Sequence, residues 1–314
     1  MAKPLIVYGL EPILNPSFED DEDLDAPTSW VTTASVSGIN EVSATVFQSA
    51  GRGLPSARSL RQNTQDGTAG NKAIARQRFA ADELVSILVE HEQELAIAAP
   101  IQPLRQEGLA NASLRLRFFD STGSSTPATG GELTSALERE FVAGGPIWFL
   151  MVGAARVPAG TAWVDVDLEY DIATAGFLAD ASVYWDRIMV GGLVDLDKGF
   201  RGGMTVNLEP GTRTNEGDGT AETLRIRGPR SRISLALANL VEDSRLWSQM
   251  IAFDAWLSTG VGFSAIWGDR DALTNAKRHY QRVVPDRRLR VGFPAGLLRR
   301  NYDLRLIAPN EGAA

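Results

Sequence analysis

The side chains that could do chemistry in this chain are few in kind and uneven in place. The 314 residues include two histidines and no cysteine. That removes disulfides, thiolate nucleophiles and thiolate metal sites, and it leaves a histidine-based triad or zinc site poorly supplied. His91 stands in Glu90-His91-Glu92 and His279 in a charged helix-like run; both read as surface residues rather than general bases. Carboxylates are abundant, but none stands out as one of the pair, about 5–9.5 Å apart, that glycoside hydrolysis needs. No Walker-type loop is present, and Gly130-Gly131, Gly144-Gly145 and Gly202-Gly203 read as turns. The other candidates are aromatic. Trp30, Trp148, Trp163, Tyr184 and Trp185 could each offer a flat apolar face to a pyranose, with nearby polar groups fixing its orientation. Trp30 and Trp185 are the candidate ligand-binding residues, and the competing reading is that most of these rings fill a core.

Charge is distributed unevenly around a net −8. Residues 11–25 hold Glu11, Glu19, Asp20, Asp21, Glu22, Asp23 and Asp25 with no base, whereas the last forty-odd residues are rich in arginine. Opposite ends of opposite sign suit head-to-tail contacts between subunits, and the plainer alternative is two solvated faces. Arg287, Arg288, Arg290, Arg299 and Arg300 are the candidate interface residues. Interleaved acids and sparse aromatic rings there argue against nucleic acid as a partner. No apolar run approaches the roughly 18 residues of a membrane-spanning helix, and the short run Leu5-Ile6-Val7-Tyr8 reads as a first strand rather than a signal peptide.

Positioning these groups falls mainly to strands. Ser59–Gln62, Ala73–Phe79, Glu94–Ala99, Ser113–Phe119, Ile147–Val152 and Trp163–Tyr170 are short β segments, several with period-two alternation. In Trp163–Tyr170 the aspartates fall on the face opposite the valines. Asp82–Val89 is open between helix and strand, and Glu132–Phe141 between a helix-forming composition and a long loop. Gly191-Gly192 and the stretch from Gly199 to Thr220 mark a change of domain. Beyond it, Thr223–Arg227 and Arg232–Leu237 read as strands. A helix runs from Asp243 or Ser244 through Leu246, Trp247, Met250, Ile251 and Leu257 near the 3.6 period. Gly260–Trp267 follows as a strand, then a second helix from Ala272 to about Arg282 capped by Asp271, and terminal strands at Arg288–Val291 and Tyr302–Ile307. The expected fold class is mainly β: an N-terminal jelly-roll sandwich over residues 1–194 and a smaller C-terminal α+β domain over 195–314.

Two motif sets carry a family resemblance. Asn15-Pro16-Ser17-Phe18-Glu19-Asp20 with Trp30, Ser59-Leu60-Arg61, Gln77, Val157-Pro158-Ala159-Gly160-Thr161 and Tyr184-Trp185-Asp186 together resemble the jelly-roll (galactose-binding-like) sandwiches of carbohydrate-binding modules and of many phage tail and virion proteins. Many members have two consecutive acids where this chain has Trp185-Asp186. Phe253-Asp254-Ala255-Trp256 and Gly260-Val261-Gly262-Phe263-Ser264 resemble small domains of phage tail and baseplate proteins. The first resemblance implies a structural calcium joining the first and last strands. Glu19 and Asp186 match its acidic positions and Asn15 begins the same motif; the alternative is that these acids cap turns or pair with Arg187.

The function expected from the resemblance is a non-enzymatic bacteriophage virion structural protein, a tail or baseplate component. It would form a symmetric homo-oligomer and contact other virion proteins. The Arg287–Arg290 region and the helix bearing Trp247 and Trp256 would supply the assembly surface and its supporting core. The alternative is a glycan-binding protein, either a receptor-binding tail component or a carbohydrate-binding module, with a host surface glycan as partner.

Overall fold

The computed structural model describes residues 5–9, 13–14, 18, 28–34, 38–44, 58–64, 70–104, 106–122, 131–142, 149–171, 182–186, 188–195, 204–209, 212–217, 220–225, 230–241, 245–259, 264–268, 281–285, 290–292 and 299–308. The first strands are β1 (Leu5–Gly9), β2 (Val31–Ala34), β3 (Gly38–Ala44), β4 (Arg58–Thr64), β5 (Lys72–Ala80), β6 (Glu94–Pro103) and β7 (Ala112–Phe119). Next come β8 (Glu132–Leu133), β9 (Glu138–Val142), β10 (Phe149–Arg156), β11 (Trp163–Asp171), β12 (Val183–Trp185) and β13 (Met189–Asp195). The chain continues with β14 (Met204–Glu209), β15 (Thr212–Gly217), β16 (Thr220–Arg225), β17 (Arg230–Val241), β18 (Ser264–Gly268), β19 (Gln281–Pro285), β20 (Arg290–Gly292) and β21 (Arg299–Ala308). Helix α1 spans Glu83–Glu90 and α2 spans Arg245–Ser258.

The molecule is mainly β, and two antiparallel sheets face one another as a β-sandwich. The smaller has the order β2-β5-β11-β7-β8. The larger runs β14-β17-β21-β19-β18-β1-β13-β6-β12-β4-β3, with β10 on the other side of β6 and β9 beyond it. Alternation decides which side chains meet between the sheets. Val164, Val166, Leu168 and Tyr170 of β11 lie beside Phe118, Leu116, Leu114 and Ala112 of β7, and all face the core. Ile97, Ala99 and Ile101 of β6 approach from the larger sheet. The larger sheet is buried on its other face too, by a second cluster that includes Val7, Ala98, Leu150 and Tyr184. This explains why β6 and β10 read as nearly continuous apolar runs.

Two buried glutamines tie this framework together. Gln62 Nε2 donates to the carbonyls of Leu168 (3.0 Å) and Ala73 (3.3 Å) in the opposite sheet, while its Oε1 accepts from Trp185 Nε1 (2.8 Å). Gln77 Nε2 donates to the carbonyls of Leu14 and Ser29, and its Oε1 accepts from the Leu14 amide. Through Gln77, Leu14 and Ser29 are fastened to β5, and the rings of Phe18 and Trp30 meet at a tilt in the core with centroids 5.6 Å apart.

Several expectations change. Asp82–Val89 resolves as helix α1, capped by the Asp82 carboxylate accepting from Val85 N. Within Glu132–Phe141 the chain forms β8 and most of β9 rather than helix. The stretch from Gly199 to Thr220 contains β14 and β15 and the start of β16, a polar sequence that nevertheless pairs. Of the second predicted helix, residues 271–280 lie outside the described residues, and its end is strand β19.

Gly191 and Gly192 sit inside β13, under Tyr8. A Cβ on Gly191 would stand 2.1 Å from the Tyr8 carbonyl oxygen, and one on Gly192 would stand 2.4 Å from the Tyr8 ring. Helix α2 follows that point in sequence and packs back onto it. Its Phe253 meets Tyr8 edge-on at 4.7 Å, and Leu246, Trp247, Met250 and Trp256 join the sandwich core. Arg245 forms a two-pronged ion pair with Glu94 of β6, and Gln249 Oε1 accepts from Asp195 N at 2.9 Å. β18 pairs with β1 from Leu5 to Gly9. The segments before and after residue 194 therefore share both a sheet and a core.

Candidate functional site

The outward face of the smaller sheet carries a cross-strand array of charges. Strand β11 places Asp165, Asp167 and Glu169 on this face, and register sets Asp165 between Arg78 of β5 and Arg117 of β7, and Asp167 between Arg76 and Arg115. The acids are opposite the valines, as expected, but they are not solvated: Asp165 and Asp167 are fully buried and Glu169 nearly so. Arginine side chains close over them. Arg76 holds Asp167 with two hydrogen bonds of 2.6 and 2.8 Å, and Arg78 holds Asp165 in the same bidentate way. From the other flank Arg117 reaches Asp167 at 3.1 Å, and Arg115 reaches Glu169 at 2.9 Å.

Buried charges are tolerable only when each has an opposite charge beside it, as these do. The hydrogen bond to Asp167, with the fields of Asp167, Asp165 and Glu169, outweighs burial and raises the Arg76 guanidinium further above its ordinary value. The result is a row of guanidiniums pinned from beneath. A guanidinium held this way presents its donors in a fixed, planar pattern.

At one end of the row stands Trp163. Its neighbours in register are Ala80 of β5 and Phe119 of β7. Phe119 is fully buried beneath the Arg78 guanidinium, which lies 4.4 Å from its ring centroid. Trp163, by contrast, is 39% exposed. At about 6.7 Å per two residues, the outward row from Trp163 to Glu169 is roughly 20 Å long. At the far flank β8 pairs with only the last two residues of β7, and the chain then leaves it. That departure opens a groove of about 310 Å³ bordered by Arg115, Arg117, Glu132, Thr134 and Ser135.

The residues singled out from sequence fall elsewhere. Trp185 is completely enclosed with its indole N–H bonded to Gln62, and Trp30 is buried against Phe18. Neither ring offers a face to a ligand, because both are needed to fill the space between the sheets. Tyr184 is buried as well, and Trp148 lies outside the described residues. Asp186 is buried where β12 ends, its amide donating to Pro100 O of β6 at 3.1 Å. Asn15 and Glu19, the other two members of the expected calcium set, lie outside the described residues, as do Arg287 and Arg288. Arg290 is on β20 opposite Asp303, and Arg299 and Arg300 open β21 opposite Val241 and Leu240. Among the described residues no three His, Asp or Glu side chains gather as a metal site, and no helix is long and apolar enough to cross a membrane.

The array escaped a reading made strand by strand. Its signal was present as three period-two patterns: Arg76-Gln77-Arg78, Arg115-Leu116-Arg117 and Asp165-Val166-Asp167-Leu168-Glu169. Opposite charges on alternate residues of separate strands predict pairing only once those strands are known to be neighbours.

No family model matches the chain, and no curated protein matches it. Among solved structures it is similar to the enzymatically active domain of tailspike protein 4 of bacteriophage CBA120, with 11% identity over 58% of this chain and a TM-score of 0.36. It spans 21% of that tailspike chain. It is also similar to a carbohydrate-binding module described for specific mannan recognition, with 13% identity over 60% of this chain and 97% of the module, at a TM-score of 0.31. Backbone agreement of this order is too slight to carry a function from either protein to this chain.

Proposed function

We propose that this chain is a non-enzymatic glycan-binding protein whose ligand lies along the outward face of the smaller sheet. The observation that supports it is the placement of one exposed ring, Trp163, at the end of a row of immobilised arginines. Stacking of a pyranose on the indole would supply apolar contact, and the guanidinium edges would select hydroxyl and ring oxygens. Rigid donors lose little freedom on binding, which favours affinity. The same arrangement is unsuited to acid–base work, since Asp165 and Asp167 are covered by arginine and present no oxygen at the surface.

The test is affinity electrophoresis through gels containing soluble polysaccharides, with wild type beside Trp163→Ala. Retardation by at least one polysaccharide is expected. The substitution should weaken it about tenfold, equivalent to about 1.4 kcal/mol, without lowering the melting temperature. Equal retardation of both proteins would remove Trp163 from the site.

A second reading, a tail or baseplate component that self-associates in a virion, is favoured by the long sheet. Its terminal strands β3 and β14 are each paired on one side only among the described residues, and such edges can accept a strand from another copy. Light scattering should then give a defined multiple of the monomer mass, and a clean monomer at all concentrations would oppose it. The same measurement with a chelator addresses calcium, for which Asp186 is the one described member of the proposed set.

A further inference from the structure

We propose that the ligand is an acidic saccharide, and that its carboxylate or sulfate sits in the groove where β8 leaves β7, against Arg115. This inference rests on the glycan-binding reading above and gives that ligand a charge and an orientation.

Three features carry it. First, among the described residues four guanidiniums close over the three carboxylates Asp165, Asp167 and Glu169, an excess of one cation over the acids of the array. Second, the excess is localised. Arg76, Arg78 and Arg117 have side chains only 15–22% exposed, and each engages two carboxylates or both oxygens of one. Arg115 is 46% exposed and reaches only Glu169 among the described residues, through one terminal nitrogen. Its remaining donors are therefore oriented but unused, the condition for bidentate capture of an anion. Third, Arg115 borders the groove together with the hydroxyl-bearing Thr134 and with Ser135, whose own hydroxyl donates to Arg156 O, a space of about 310 Å³ at the small end of ligand-sized pockets. Glu132, exposed at the rim, is a carboxylate of the described lining that opposes an anion there. With Trp163 at one end of the array and the groove on the β7 flank, a saccharide would stack its neutral ring on the indole and direct its charged unit toward Arg115.

The probes are dextran and galactomannan as neutral polymers, polygalacturonate as a carboxylate polymer and carrageenan as a sulfated one. Each is titrated against wild type, Arg115→Gln, Glu132→Gln and Trp163→Ala at low and high salt. The proposal expects preference for one or both acidic polymers, weakening with salt. Arg115→Gln should lower that affinity about tenfold and any neutral binding by less, and Glu132→Gln should raise it. Carboxylate and sulfate are told apart by which acidic polymer is retained. Binding of neutral polymers alone, or acidic binding indifferent to Arg115→Gln, overturns the acidic assignment and leaves the glycan reading standing. Binding of none of the four overturns both. Because Arg115 is half exposed, its variant should melt with wild type; if it does not, the Glu132→Gln gain and the salt dependence still decide the matter.

Discussion

Tyr8 shows how a single side chain is constrained from all sides. Its ring is enclosed by Phe253 and by the glycines of β13, and its hydroxyl has no hydrogen-bond partner among the described residues. Burial raises the phenol above its ordinary value, and burial does the same to Tyr170, partly offset there by a hydrogen bond from Asn111. The sign of the consequence follows. The unfolded chain releases the Tyr8 proton near pH 10 and the folded one holds it to higher pH, so stability is intact below about pH 10 and falls above it. Tyr8→Phe should be as stable as wild type or up to about 1 kcal/mol more so at neutral pH, since an unpartnered buried hydroxyl is lost. Its unfolding midpoint in urea should also decline less steeply between about pH 10 and 11. Parallel declines for the two proteins would show that the phenol is not the titrating group.

At the scale of elements, the outward array joins β5, β11 and β7 by charge as the inward residues join them by apolar contact. Asp167 is its centre, held by Arg76 from one flank and Arg117 from the other. Asp167→Asn removes the nearest counter-charge of both guanidiniums in a buried setting and leaves them only the longer contacts to Asp165 and Glu169, and chemical denaturation should register a loss of about 3 kcal/mol. A loss under about 1 kcal/mol would mean that the arginines swing out to solvent, as surface pairs do. The array would then be a flexible rather than a rigid platform. The sequence already held the alternation of all three strands. What it could not hold was their adjacency, because β5 and β11 are separated by more than eighty residues and pair only through the sandwich topology.

At the scale of the molecule, the expected division at residue 194 meets a shared core. Helix α2 was legible from the 3.6-residue spacing of Leu246, Trp247, Met250 and Leu257, yet nothing in that spacing says which core it enters. It covers Tyr8 and the sheet beside it, while β18 pairs with β1. Ending the chain at Val194 would uncover Ile6 and Tyr8 and strip β1 of one neighbour. The truncated protein should lose its cooperative thermal transition or aggregate, and a sharp, reversible transition in it would show that the sandwich stands alone.

By itself the sequence determined the local and the compositional: mainly β structure from short alternating segments, a helix from its periodicity, no thiol chemistry from the absence of cysteine, and a strand whose acids and valines face opposite ways. Those properties depend on residues a few positions apart. Tertiary structure alone decided that Trp163 is exposed while Trp30 and Trp185 are buried, that Gly191 and Gly192 make room for Tyr8, and that three acids on one strand lie beneath four arginines from two others. Each of these depends on pairing between segments far apart in the chain, and one residue of slip in register would have turned every one of those side chains to the opposite face.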